Sequence, residues 1–200
     1  MASRNPPGTY AKIIVVNDRQ LLDLIHRTPW IDDALTSFDF DIARVENGPV
    51  EPVKFPGDAR FEMIAGDASG GAFVFIGDHD VHPVVYIGSE GEGGLIAHGL
   101  RDTLALVVGL SSLHDATVVP IDEDQDRLIT WLAEADAEIR SDQPDLDERR
   151  AQLTQALELP DAYDVLPAFH TAARDNTYRP WHATENIPYR PMLDPDLWDA

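Results

Sequence analysis

The chain has no cysteine, and only two of its 200 residues are lysine. The lack of thiols excludes a disulfide framework and any thiolate metal or redox site. Long hydrophobic runs are missing as well. The longest, around residues 104–110, is punctuated by Gly109 and falls well short of a membrane span. The opening residues, MASRNPPGTYAKIIVV, hold too short an apolar run for a signal peptide and lack a small-residue cleavage pattern after it, so a soluble cytoplasmic protein is expected. Positive charge is scarce. Thirty-six Asp plus Glu against fifteen Lys plus Arg gives a formal net charge of -21. A field of that sign repels nucleic-acid phosphates and anionic membranes, so neither is an expected partner, and it steers basic partners inward. Its plainer meaning is solubility.

What is present suits one folded body. Two hundred residues can bury a core without staples, and a 44% hydrophobic content is that of an ordinary globular protein. The most informative stretch is residues 61–113, FEMIAGDASGGAFVFIGDHDVHPVVYIGSEGEGGLIAHGLRDTLALVVGLSSL. Apolar runs at residues 61–65, 72–76 and 83–87 are separated by Gly/Asp/Ser/His turns, and a fourth at 95–97 leads into an apolar helix. Turns this short cannot hold parallel crossovers, so the stretch predicts an antiparallel meander closed by a helix. In that helix Leu100, Thr103, Leu104, Val107 and Val108 follow the i, i+3, i+4, i+7, i+8 rule while Leu106 and Leu110 occupy the other side, which predicts burial across the sheet.

Flanking elements carry start signals. Residues 13–16 could form a leading strand. Asn17 with Gln20 predicts a helix cap, and Thr28-Pro29 opens a second helix over residues 30–38. Residues 47–57, rich in Pro and Gly, read as a connector. Asp122 with Gln125 predicts a capped helix with Leu128, Trp131, Leu132, Ala135 and Ile139 inward and Glu134, Asp136 and Glu138 solvated. Asp145 with Glu148 predicts another, with Leu146, Leu153 and Leu157 inward, and a short helix is expected over residues 162–174. From residue 176 the prolines at 180, 188, 191 and 195 deny helix and central strand alike. The division expected is a body over residues 1–175 and an extended arm over 176–200, whose aromatics pack back on the body.

Three constellations invite chemistry. Gly66-Asp67-Ala68-Ser69-Gly70-Gly71 compares with the GDSGG nucleophile loop of trypsin-like proteases, but Ala68 is inserted before the serine and would displace it from the oxyanion donors. A glycine-rich hairpin turn accounts for these residues. Asp78-His79-Asp80-Val81-His82 offers four metal-ligand side chains within five residues, yet adjacent side chains in one tight loop point apart and no second cluster completes the set. Gly88-Ser89-Glu90-Gly91-Glu92-Gly93-Gly94 is neither a P-loop nor a dinucleotide fingerprint, and Glu90 and Glu92 would repel a phosphate. No catalytic set, metal site or cofactor site is expected. Asp67, Asp78, Asp80, Glu90 and Glu92 lie on hairpin loops that a sheet can present, so they are the candidate contacts for a basic partner.

The layout of N-terminal helices, a Gly/Asp-rich strand pair turning at GDASGG, a VVYIGSE strand and a helix of the HGLRDTLALVVGL kind resembles the SMI1/KNR4-like (SUKH) family over residues 18–113. Where that family carries a tryptophan ahead of the strands, Phe55 and Phe61 stand here. The resemblance implies an α+β fold, an antiparallel β-meander packed by helices, here with a helical extension and a proline- and aromatic-rich C-terminal arm. It implies no catalytic residues, since the family shares none. Its bacterial members commonly act as immunity proteins, so the function expected is non-enzymatic binding of a cognate basic toxin. The alternatives are a regulatory or scaffold protein of the same type, or a metal-dependent hydrolase using Asp78, His79, Asp80 and His82.

Overall fold

The computed structural model describes residues 17–193. The expected strand at residues 13–16, and Pro195 and Trp198 of the arm, lie outside the described residues. The elements in chain order are α1 (Asp18–His26), α2 (Pro29–Thr36), β1 (Val53–Lys54), β2 (Phe61–Gly66), β3 (Ala72–Ile76), β4 (Val84–Ile87), β5 (Gly93–Ala97), α3 (Leu100–Gly109), α4 (Gln125–Asp142), α5 (Leu146–Leu157), α6 (Ala162–Ala173), β6 (Trp181–His182) and β7 (Ile187–Pro188). The fold class is α+β. Strands β2-β3-β4-β5 form the expected antiparallel meander, and a second antiparallel sheet runs β1-β6-β7.

The main sheet is buried on both faces. Along β3, Phe73 and Phe75 join the principal core with Tyr86, Ile96 and the helices, while Ala72, Val74 and Ile76 join a second cluster with Val85, Ile87, Leu95, Phe55 and Tyr189. Period-2 alternation therefore disappears from the sequence, and the middle strands read as continuous apolar runs. On β2 a register shift between Met63 and Ala65 lets consecutive Ile64 and Ala65 both face inward.

The second face is covered by the connector and the arm. Residues 47–57 supply β1, and the arm supplies β6 and β7, so both contain strand where none was expected. Proline physics still governs the placement: Pro188 lies on the edge strand β7, and the middle strand β6 carries only Trp181 and His182. The arm packs back through Tyr189, Met192 and Leu193, all buried.

Helix caps mix success and correction. Asn17 Oδ1 accepts the Gln20 amide at 3.0 Å as the pattern predicts. The cap of α4 is Asp124, not Asp122: Asp124 Oδ1 accepts the Arg127 amide at 3.0 Å, and Asp122 pairs with Arg174 instead. Asp145 opens α5 without a side-chain cap bond, because its carboxylate turns to Arg149 at 3.3 Å.

The larger correction concerns the face of α4. Trp131, expected inward, is 48% exposed, and Asp136, expected in solvent, is 5% exposed. The cause is Arg150 on α5. Its guanidinium donates to both Asp136 oxygens at 2.7 and 2.8 Å, and to the carbonyls of Val108 and Leu110 at 2.8 and 2.9 Å. A guanidinium this deep needs a carboxylate partner, and supplying it rotates the Leu128–Leu132–Asp136 stripe inward and Trp131 outward. Replacing Arg150 with Met is expected to cost about 3–5 kcal/mol of stability, since Asp136 keeps only the half-exposed Arg140 at 3.0 Å and two carbonyls lose their donor. Chemical denaturation checks this, and a loss below about 1 kcal/mol would show the network to be dispensable.

Two buried histidines set a pH limit. His170 Nδ1 accepts the Ile121 amide at 3.1 Å, so Nε2, 2.7 Å from the Ala116 carbonyl, must carry the ring's one proton. His82 is 2% exposed and stacks on Phe75 with ring centroids 4.5 Å apart. Burial is the main reason that both titrate below the ordinary histidine value of 6.5. The unfolded chain therefore takes up these protons first as pH falls. Their contribution is complete above about pH 6.5 and is lost progressively below it, toward the depressed folded values. Urea midpoints should fall between about pH 7.5 and about pH 5.5. An unchanged midpoint would contradict this assignment.

Candidate functional site

Antiparallel pairing decides which loops share an end of the sheet. The β2–β3 turn (residues 67–71) and the β4–β5 turn (88–92) lie together at one end, and the β3–β4 turn (77–83) lies at the other. The five candidate acids are thus split. Asp67, Glu90 and Glu92 share an end, while Asp78 and Asp80 stand exposed at the opposite one. Asp78 lies 3.9 Å from Arg60, and the Asp80 carbonyl accepts the Asp18 amide at 3.3 Å. The structure does not bring the five onto one surface.

At the first end opens a cleft of about 900 Å³, walled by the two turns, the end of α3, the α4–α5 junction and the arm. Its mouth carries acidic and basic groups, and its floor is apolar, with Phe73, Val107, Leu110 and Met192 among the lining residues. A concave site with an apolar floor and a few converging polar groups has the general form of a ligand or partner pocket.

Asp67 is the most constrained of the candidate acids. One oxygen accepts from the Ser69 amide (2.8 Å), the Ser69 hydroxyl (2.7 Å) and the Gly71 amide (2.8 Å), and the other from the Tyr86 hydroxyl at 2.6 Å. Burial, the largest influence on its carboxyl, pushes its pKa up, but these hydrogen bonds together outweigh it and hold the group below the usual carboxylate range. The same pair acts oppositely on Tyr86, where burial first and the Asp67 bond second push the phenol well above its ordinary value. Glycine is required at position 71, because a Cβ there would collide with the Asp67 carboxylate and the Tyr86 hydroxyl. The GDASGG segment is therefore a carboxylate-centred turn, and the Ser69 hydroxyl donates to an acid rather than facing a base.

Glu92 is half-buried on the facing turn. Its Oε1 lies 3.3 Å from His114 Nε2, and His114 stands edge-on to the Tyr86 ring with centroids 5.8 Å apart. Its Oε2 is out of solvent and makes no hydrogen bond; Arg190 Nη2 lies 3.9 Å from it. Glycine at 88 makes room for this carboxylate to fold back over its own turn. Glu90 is exposed, and its carbonyl accepts from Arg190 at 3.3 Å.

At the other end, the Asp78-His79-Asp80-His82 set does not converge. Asp78, His79 and Asp80 point to solvent, while His82 is packed under the sheet end. Among the described residues no group of three or more His, Asp or Glu side chains could hold a metal ion.

The sequence reading missed Tyr86, His114, Ser111 and Arg190 as cleft residues. Tyr86 had one signal, being the lone hydroxyl in VVYI. The others arrive from distant elements and had none. Tyr86→Phe should cost about 1–3 kcal/mol, because Asp67 stays buried with one donor fewer. It should also raise the Asp67 pKa, which a carboxyl-carbon NMR titration would read. An unshifted titration would show that the phenol does not hold the acid.

No family model, curated protein or solved structure matches this chain, so the cleft is read from its own geometry.

Proposed function

We propose that this protein is a non-enzymatic binding module that captures a basic protein partner at the cleft end of its sheet. The observation that carries the reading is the joint placement of Glu90 and Glu92 on a rigid turn beside the cleft, within a chain of formal net charge -21. Such a field raises association rates with cationic surfaces and suppresses anionic competitors. Asp67 supports this role from below. Its oxygens hold the neighbouring β2–β3 turn in shape and tie it to Tyr86, so it positions the site rather than contacting the partner. The polar groups here also engage one another: Asp67 with Tyr86, and Glu92 with His114. That arrangement favours a fixed docking surface over proton transfer to a substrate.

Through the SMI1/KNR4-like resemblance, the specific form of this reading is an immunity protein that neutralises a basic toxin by covering its substrate site. A regulatory or scaffold protein of the same type would use the same surface. Asp78 and Asp80, exposed at the far end, stand apart from this surface.

The test is capture of partners from native lysate at low and moderate salt, followed by assay of whether this chain suppresses the captured protein's toxicity. A basic toxin released as salt rises and silenced by the chain is the expected outcome. Reversing Glu90 and Glu92 to Lys should weaken capture about tenfold or more, and reversing Asp78 and Asp80 should have a smaller effect. Equal capture by all variants would overturn the assignment of the cleft end.

A further inference from the structure

The Glu92 carboxylate leaves one acceptor unused. Buried polar atoms without partners are few in folded proteins and call for a cause. Among the described residues, side-chain atoms of this kind belong to only four residues, and two of these, Glu92 Oε2 and Ser111 Oγ, line the same cleft. Both can accept hydrogen bonds, and one bears negative charge, so the chemistry that would satisfy them is a cation rich in N–H donors.

The chain holds such a group nearby without using it fully. Arg190 Nη2 stands 3.9 Å from Glu92 Oε2, near enough for attraction and too far for a hydrogen bond, while the arginine side chain remains 56% exposed. Its own backbone is fixed: Arg190 O accepts the Gly93 amide at 2.8 Å, and its amide donates to the Gly91 carbonyl at 2.7 Å. The same Nη2 donates to the Glu90 carbonyl at 3.3 Å, which holds the head beside the carboxylate without bonding it. The apolar floor at Val107, Leu110 and Met192 would suit the methylene stem of a side chain entering from outside.

We propose that Glu92 is an exchange site for a guanidinium. Arg190 screens the carboxylate in the free chain, and an arginine of the basic partner displaces it and donates directly to Oε2. This rests on the reading of the cleft as the docking end and adds the residue type that anchors there. A planar guanidinium with five donors fits a carboxylate, with donors to spare for a hydroxyl of the same cleft, better than an ammonium does.

The probes are capped Ala-Arg-Ala and capped Ala-citrulline-Ala, which differ in charge at nearly constant shape, titrated into the full chain by NMR at moderate salt. Saturable shifts at Glu92, Ser111 and His114 are expected with the arginine peptide alone. Glu92→Gln should weaken that binding about tenfold, and Ser111→Ala should weaken it less. Arg190→Ala should strengthen it, because the internal competitor is gone. Equal response to both peptides, shifts spread over the acidic surface without saturation, or weaker binding by Arg190→Ala would overturn the exchange. If the peptides fail while salt-dependent capture of a basic partner persists, the docking surface stands and the arginine anchor falls. If capture fails too, the docking reading falls with it.

Discussion

The architecture depends on making a nearly wholly buried helix tolerable at both ends. Helix α3 is apolar around most of its circumference and lies between the sheet and α5 and α6, so its terminal amides and carbonyls cannot all reach water. Each end meets one charged side chain of the sign its dipole favours. At the N-terminus the buried Asp18 carboxylate accepts the Leu100 amide at 3.0 Å and the His82 amide at 2.6 Å. At the C-terminus the Arg150 guanidinium caps the carbonyls of Val108 and Leu110. These two residues also tie α3 to α1, to the β3–β4 turn, and to α4 through Asp136. A single burial problem thus fixes the positions of α1, the β3–β4 turn, α4 and, through Arg150 itself, α5.

The cleft follows from that placement. Because α3 ends where Arg150 holds it, the segment after it brings Ser111 into the cleft lining and His114 to Glu92 and Tyr86. Facing it, Asp67 converts a glycine-rich hairpin into a stiff wall. The acids on this end therefore fall into two kinds. Asp67 is structural, with both oxygens hydrogen-bonded, while Glu92 is only partly engaged. Composition alone treats them alike.

The meander, the position of α3 and the inward leucines of α5 were legible because strand turns and helical periodicity are local signals. Helix α4 was not, for the stripe that packs includes Asp136, and an acid becomes a core residue only when a distant Arg150 is known to meet it. The strands of the connector and arm were hidden because two-residue ladders leave no periodic trace, and β1 pairs with a partner more than a hundred residues away. For the site, loop position and charge pointed to Glu90 and Glu92, which line the cleft, but grouped them with Asp78 and Asp80 at the opposite end, since strand direction decides which turns are neighbours. The partner groups of Glu92, His114 and Arg190, come from two other parts of the chain, and no spacing rule reaches that far.

The cover over the sheet's second face bears on how the chain reaches its native state during synthesis. Val74, Ile76, Val85, Ile87 and Leu95 are closed over in part by Tyr189 and Ala172, and β1 waits for β6. A ribosome makes these apolar strands long before their cover, at rates on the order of 5–20 residues per second. For several seconds the nascent meander presents a greasy face that only the connector's Phe55 can begin to cover, the state most open to misassociation and to chaperone capture. Completion of the fold is thereby tied to translation of the arm, and premature stops ahead of Tyr189 would release chains that are sticky rather than merely short.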